Sequence, residues 1–188
     1  MMDTYGTLHG HSPACLTLKP VEIGGPLGRD AATGRGVACL ISQAASDMNM
    51  IPDGARVVGQ GFGNVGSWTA RLLQEYEWKV VEVSGVRGGV CNPIGLNIPA
   101  LLGHQSQSGV IPGFSGGEDI TNAELLECEI LVPVAMGNVV TTENAPKLKT
   151  KLVVEAAIHP LTPEADDTLF EQGIRVMPDI LVNATGIV

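Results

Sequence analysis

Apolar positions along this chain alternate between two periods, and their order predicts an architecture. From Ala32, residues Val37, Leu40, Ile41, Ala44 and Ala45 recur at spacings of three and four, the mark of an amphipathic helix that ends near Asp47. Pro52, Asp53 and Gly54 make a turn, and Arg56, Val57 and Val58 read as a short buried strand. Val65, Trp68, Leu72 and Tyr76 mark one face of a second helix, and residues 79–84 form the next strand. Thr121 and Glu124 have capping-box spacing and predict a short helix, followed by a strand at 130–132 that ends in a proline bend. Residues 152–154 read as another strand. Thr162 and Pro163 cap a helix that Gly173 closes, and Arg175, Val176 and Met177 form the last strand. Short apolar strands alternating with helices predict an α/β fold. The expectation is a doubly wound, mostly parallel sheet of Rossmann type, with ligands at the carboxyl ends of its strands.

Between the first strand and the second helix lies Gly61-Phe62-Gly63-Asn64-Val65-Gly66, a GxGxxG pattern. The chain has 24 glycines in 188 residues, so the spacing alone arises by chance and the strand–loop–helix context carries the weight. Gly61 can turn the chain off the strand, Gly63 lets the backbone approach a pyrophosphate, and Gly66 lets the helix pack closely on the sheet. The helix start then presents unpaired N–H groups and partial positive charge to the phosphates. The same rule expects an acidic residue about 20 positions further on, at the tip of the second strand. Here that tip is Ser84-Gly85, and Glu82 lies inside the strand as a sheet-face residue. Gly85 admits either coenzyme. Arg87 is either a partner for a 2′-phosphate or a solvated loop residue.

A length of 188 residues fits one domain, or one domain with a short appendage. The formal charge of -9, with no basic patch, argues against nucleic acid and anionic membranes as partners. No apolar run approaches the roughly 18 residues of a membrane span, and the first residues lack a signal-peptide pattern, so a soluble cytoplasmic protein is expected. Cys15, Cys39, Cys91 and Cys128 form no CxxC pair, and His9, His11, His104 and His159 share no ligand spacing. These histidines read as surface or loop residues, and no metal site is expected.

Several segments in one order resemble the glutamate dehydrogenase family, within the wider group of glutamate, leucine, phenylalanine and valine dehydrogenases. They include His9-Gly-His-Ser-Pro-Ala14, Lys19-Pro-Val-Glu-Ile-Gly-Gly25, Leu27-Gly-Arg-Asp-Ala-Ala-Thr-Gly-Arg-Gly36 and the loop from Gln60 to Gly66. The likeness continues through Asn92-Pro93, Glu155-Ala-Ala157, Thr162-Pro-Glu-Ala-Asp166 and Pro178-Asp-Ile-Leu181, so it covers nearly the whole chain.

The resemblance implies a dinucleotide-binding domain at residues 31–188, preceded by a lead-in segment from the hinge region at 1–30. It implies NAD or NADP as cofactor, and a full enzyme that oxidatively deaminates L-glutamate to 2-oxoglutarate and ammonia. The family's catalytic lysines and aspartate precede the segment at which this chain begins, so no catalytic residue is assigned and inactivity in isolation is expected.

Carried over by position, Thr33 would contact the nicotinamide amide, and Gly61, Phe62, Gly63, Asn64, Val65 and Gly66 would form the pyrophosphate loop. Ser84 and Gly85 would lie on the adenosine side, Ala135 on the nicotinamide side, and Asn183 near the nicotinamide ribose and substrate. Bland alternatives stand beside three of these. Thr33 also reads as a helix-start residue and Asn64 as a plain N-cap, roles that can coexist with coenzyme contact, and Asn183 reads equally as a turn residue.

The chain departs from the family pattern at Ile158, where an asparagine is usual, at Thr185, where a glycine is usual, and at Glu77-Trp78, where Gly-Ala is usual. Expected partners are a nicotinamide dinucleotide and either a complementary substrate-domain chain or a dehydrogenase paralogue. A non-catalytic regulatory module, or an incomplete gene product, remains the alternative.

Overall fold

The structure is a computed structural model that describes residues 1–16, 19–121, 127–184 and 186. A short helix α1 (Met2–His9), which buries no residue, leads through two 3-10 turns into α2 (Arg29–Asp47). Helix α2 therefore begins three residues before the periodic pattern at Ala32. Its buried face is Ala31, Gly34, Val37, Ala38, Ile41, Ala44 and Ala45. Strand β1 (Arg56–Gln60) runs into α3 (Asn64–Glu75), then come β2 (Lys79–Gly85) and β3 (Gly88–Cys91). Helix α4 (Ile98–Ser108) and β4 (Glu118–Ile120) follow, then β5 (Ile130–Pro133), β6 (Leu152–Val154), α5 (Pro163–Glu171), β7 (Arg175–Met177) and α6 (Asp179–Ala184).

The seven strands form one sheet in the order β4-β3-β2-β1-β5-β6-β7. Five pair in parallel, while β3 and β4 are antiparallel additions at one edge. Side chains alternate between the faces, as a two-residue period requires. Val57, Ile130, Val132, Leu152 and Val154 point to the layer containing α2, α3 and α4, whereas Val58, Leu131 and Val153 point to the layer containing Leu169 of α5. A register shift between Val57 and Val58 lets both Val80 and Val83 of β2 join the first layer. Burying each such aliphatic side chain contributes about 1.5–3 kcal/mol, which is why these short runs are held as strands.

Several expectations need correction. Tyr76 is 40% exposed and lies off the buried face of α3, which Gly66, Thr69, Ala70, Leu72 and Leu73 form instead. The start of α3 carries its N-cap at Gly63, not Asn64. Thr33 sits inside the second turn of α2 rather than at its start, and Asn183 belongs to helix α6 rather than to a loop turn. His104 is no loop residue: it lies on α4 with Nε2 3.2 Å from the Pro112 carbonyl. The chain passes from β5 to β6 through a 3-10 turn, Ala145–Lys147, with no α-helix in the described part of that connection. The helix expected from Thr121 to Glu124 falls on residues outside the described ones beyond Thr121, as does Thr185. Thr162 and Pro163 cap α5 as expected, the threonine hydroxyl accepting from the Ala165 amide at 3.3 Å, and Gly173 follows with φ +74°.

Among the described residues, no helix is long and apolar enough to cross a membrane, and no group of three or more His, Cys, Asp or Glu could hold a metal ion.

Candidate functional site

Strand β1 lies between β2 and β5, so the chain leaves it toward one side and returns on the other. Such a switch point opens a crevice at the carboxyl ends of the strands. A cleft of about 440 Å³ lies there, lined by Gly61 to Gly63 after β1, Gly85 to Gly88 after β2, Val134 to Met136 after β5, and Gln105 with Gly109 to Pro112 from α4 and its exit.

The glycine loop has the geometry its spacing predicted. Gly61 has φ +126°, and a Cβ there would lie 2.8 Å from both the Cβ and the amide nitrogen of Ala135, so only glycine turns here without displacing the β5 exit. A Cβ on Gly66 would overlap the Gly61 carbonyl oxygen and stand 3.0 Å from Val134, so α3 reaches the sheet only through this glycine. Gly63 differs, because nothing lies within 4 Å of the position its Cβ would take. The space before α3 is open to a ligand. Gly63 also supplies no capping side chain to α3, whereas Asn97 caps α4 and Thr162 caps α5. The first-turn N–H groups of a helix have no intrahelical acceptor, and here that turn follows Gly63, which lines the cleft. An anionic pyrophosphate therefore fits the residues present.

Two further contacts hold the loop. Phe62 is 3% exposed, and its carbonyl accepts from Gln105 Nε2 at 3.2 Å, linking the loop to α4. Asn64 Nδ2 donates to the Asp30 carbonyl at 3.0 Å, linking it to the first turn of α2. Helices α2 and α3 pack closely because a Cβ on Gly34 would meet Trp68 Cβ at 2.5 Å.

Gly61, Phe62, Gly63, Gly85 and Ala135 thus share one cleft. Asn64, Val65 and Gly66 form the first turn of α3 behind it, and Ser84 is buried at 5% exposure beside it. Thr33 and Asn183 lie elsewhere on the carboxyl side. Asn183 Nδ2 donates to the Ala157 carbonyl at 3.5 Å, its own carbonyl accepts from the Gly186 amide, and any Cβ on Gly186 would overlap the Thr33 hydroxyl. Sequence reasoning missed Gln105 and the segment from Gly109 to Pro112. Their helix carried a signal in Asn97, whose side chain caps α4 with Pro99 in the first turn, and in Gly109 at φ +74°.

Most groups with displaced protonation lie at the opposite edge of the sheet. Burial pushes the Cys128 thiol up to about 12, and Cys91 upward for the same reason. Burial alone would raise the Glu129 carboxyl, but hydrogen bonds and charge from Arg56 outweigh it and hold the group below its ordinary range. Glu155, at the carboxyl edge, is raised by burial and accepts from the Asp179 amide at 3.0 Å, tying β6 to α6. Among the described residues lining the cleft, the polar side chains are those of Gln105 and Arg87.

Residues 24–188 match the family model described as Glutamate/Leucine/Phenylalanine/Valine dehydrogenase. The chain is 46% identical, over 190 aligned positions, to a glutamate dehydrogenase of Thermotoga maritima, covering 99% of this chain and 46% of that relative. It superposes with TM-score 0.91 and 33% identity on a hetero-hexameric glutamate dehydrogenase of Thermus thermophilus in its leucine-bound form, covering 99% of this chain and 44% of that one. A glutamate dehydrogenase of Peptoniphilus asaccharolyticus superposes with TM-score 0.80 and 33% identity over the same shares. The chain spans less than half the length of each.

Proposed function

Since the chain belongs to the glutamate/leucine/phenylalanine/valine dehydrogenase family, we propose that it is the coenzyme-holding part of a glutamate dehydrogenase-like oxidoreductase, with NAD or NADP as cofactor. The observation that carries this reading is the start of α3 at Gly63, which has no capping side chain and lines an open cleft at the switch point between β1 and β5. The dinucleotide-binding domain is residues 31–188, with residues 1–30 as a lead-in segment.

In this reading the first-turn amides of α3 bind the pyrophosphate, and Gln105 orients the Phe62 peptide that borders it. Ser84 and Gly85 lie on the adenosine side and Ala135 on the nicotinamide side. Thr33 and Asn183 meet the carboxyl-terminal turn near the nicotinamide. When bound, the nicotinamide supplies the hydride acceptor for oxidation of an amino acid, L-glutamate by family. Phe62 and Ala135 exclude water from one wall of the cleft. The substrate-gripping and proton-transferring groups belong to a complementary substrate domain.

Calorimetric titration with NAD and with NADP tests the reading. Saturable heat with at least one is expected, alongside no glutamate-dependent reduction by this chain alone. Absence of heat with both at millimolar concentrations overturns it.

Ile158 favours a second reading. It is 71% exposed beyond β6 and offers no hydrogen-bonding side chain. A non-catalytic regulatory module would tolerate it. Co-purification separates the two: a complementary substrate-domain chain indicates a split enzyme, an intact paralogue indicates regulation.

A further inference from the structure

Dinucleotide sites of this architecture distinguish NAD from NADP at the tip of the second strand, where a carboxylate holds the ribose hydroxyls or an arginine accommodates a 2′-phosphate. Here β2 ends at Gly85, which pairs with Gly88 across a two-residue turn of Val86 and Arg87. Among the described residues lining the cleft, Arg87 carries the only charge, in a protein whose formal charge is -9. It is exposed and joins none of the ion pairs among the described residues.

The surrounding carboxylates are directed elsewhere. Glu82 is 2% exposed on the sheet face, three residues before the strand tip. Asp119 Oδ1 accepts from the Gly113 amide at 2.7 Å, and Glu118 pairs with Cys91 at the far end of β3. The tip itself is a glycine and carries no carboxylate, and a side chain would enter there only with a shift of Ile111. A Cβ on Gly85 would lie 2.9 Å from Ile111 Cδ1, and Ile111 is 4% exposed, packed where the α4 exit closes over the strand end.

We propose that this cleft selects the 2′-phosphorylated dinucleotide, NADP over NAD, with the Arg87 guanidinium holding the 2′-phosphate. The inference rests on the dinucleotide reading above and adds the identity of the coenzyme. Guanidinium matches phosphate in shape and charge through paired N–H donors, so the preference is of the order of tenfold or more. Because Arg87 is exposed, added salt narrows it.

Calorimetric titration of the chain with NADPH and NADH provides the test, repeated with 2′,5′-ADP and 5′-ADP to localise the effect to the adenosine end. The expected result is tighter binding of both 2′-phosphorylated ligands by roughly tenfold or more, with each ratio falling to within about twofold of one in Arg87→Ala and partly restored in Arg87→Lys. Equal or tighter binding of NADH by the unaltered chain overturns the inference and leaves the dinucleotide site standing. A preference that survives in Arg87→Ala overturns the role of Arg87. Absence of heat with every ligand overturns both the site and the selectivity.

Discussion

At the scale of single residues, the glycines of the loop act through different physics, and substitutions separate them. Gly63 has φ -81° and ψ -158°, an extended conformation open to any residue, and its Cβ position is empty. Aspartate there would cap α3 with its own carboxylate, in the place where the ligand's phosphate would sit. Gly63→Asp is therefore expected to keep or raise the melting temperature while abolishing dinucleotide heat in calorimetry. A variant that still binds with undiminished affinity would remove the start of α3 from the site. Gly66→Ala acts on the fold instead. Its methyl group would overlap the Gly61 carbonyl oxygen, and the repacking costs about 1–3 kcal/mol, measurable as a lower midpoint in urea. Cysteines divide in the same local way. Cys15 and Cys39 are exposed, whereas Cys91 and Cys128 are buried and their thiols are pushed away from the reactive thiolate. A thiol reagent at neutral pH should label two cysteines quickly in the native chain and four after denaturation.

At the scale of elements, the cleft depends on how helices end and strands begin. Asn97 accepts from the Ala100 amide at 3.0 Å and caps α4, the helix that carries Gln105 to the loop. Asn97→Ala should cost about 1 kcal/mol of unfolding free energy and weaken dinucleotide binding as the cleft wall loosens. The first residue of β1 is joined to the residue before β5 by Arg56 and Glu129, whose Nε to Oε2 distance is 3.2 Å, with the Arg56 amide also donating to the carboxylate at 2.8 Å. Glu129 has a folded-state value below its ordinary 4.5, so its contribution is fully present above that value and is lost as pH falls through the lower folded one. Glu129→Gln should cost about 1 kcal/mol at neutral pH, limited by solvent screening at the 41% exposed Arg56 side chain, and the difference from the unaltered chain should shrink below about pH 4.5 in acid unfolding curves.

At the scale of the molecule, what was legible follows from range. Helix α2, strand β1, the turn at Gly61, helix α3 and strand β2 were readable in order, because periodicity, capping and glycine spacing act within about a dozen residues. Strands β3 and β4 were not. Gly88, Gly89, Val90 and Cys91 show no alternation that would mark a strand, and they become one only by pairing with Glu82 to Gly85 on one side and Glu118 to Ile120 on the other. Gln105 was silent because its function is a hydrogen bond to a carbonyl 43 positions earlier. Thr33 and Asn183 were chosen by resemblance, and the fold sets both against the turn at Gly186 rather than in the lining of the cleft. The sequence by itself determined the parallel core and the glycine loop, since hydrophobic period and backbone sterics are local and leave few alternatives. Only the tertiary structure decided which groups share the cleft, placing Arg87 in it and directing Glu82 and Asp119 elsewhere, because charge selectivity depends on side chains brought together from different strands.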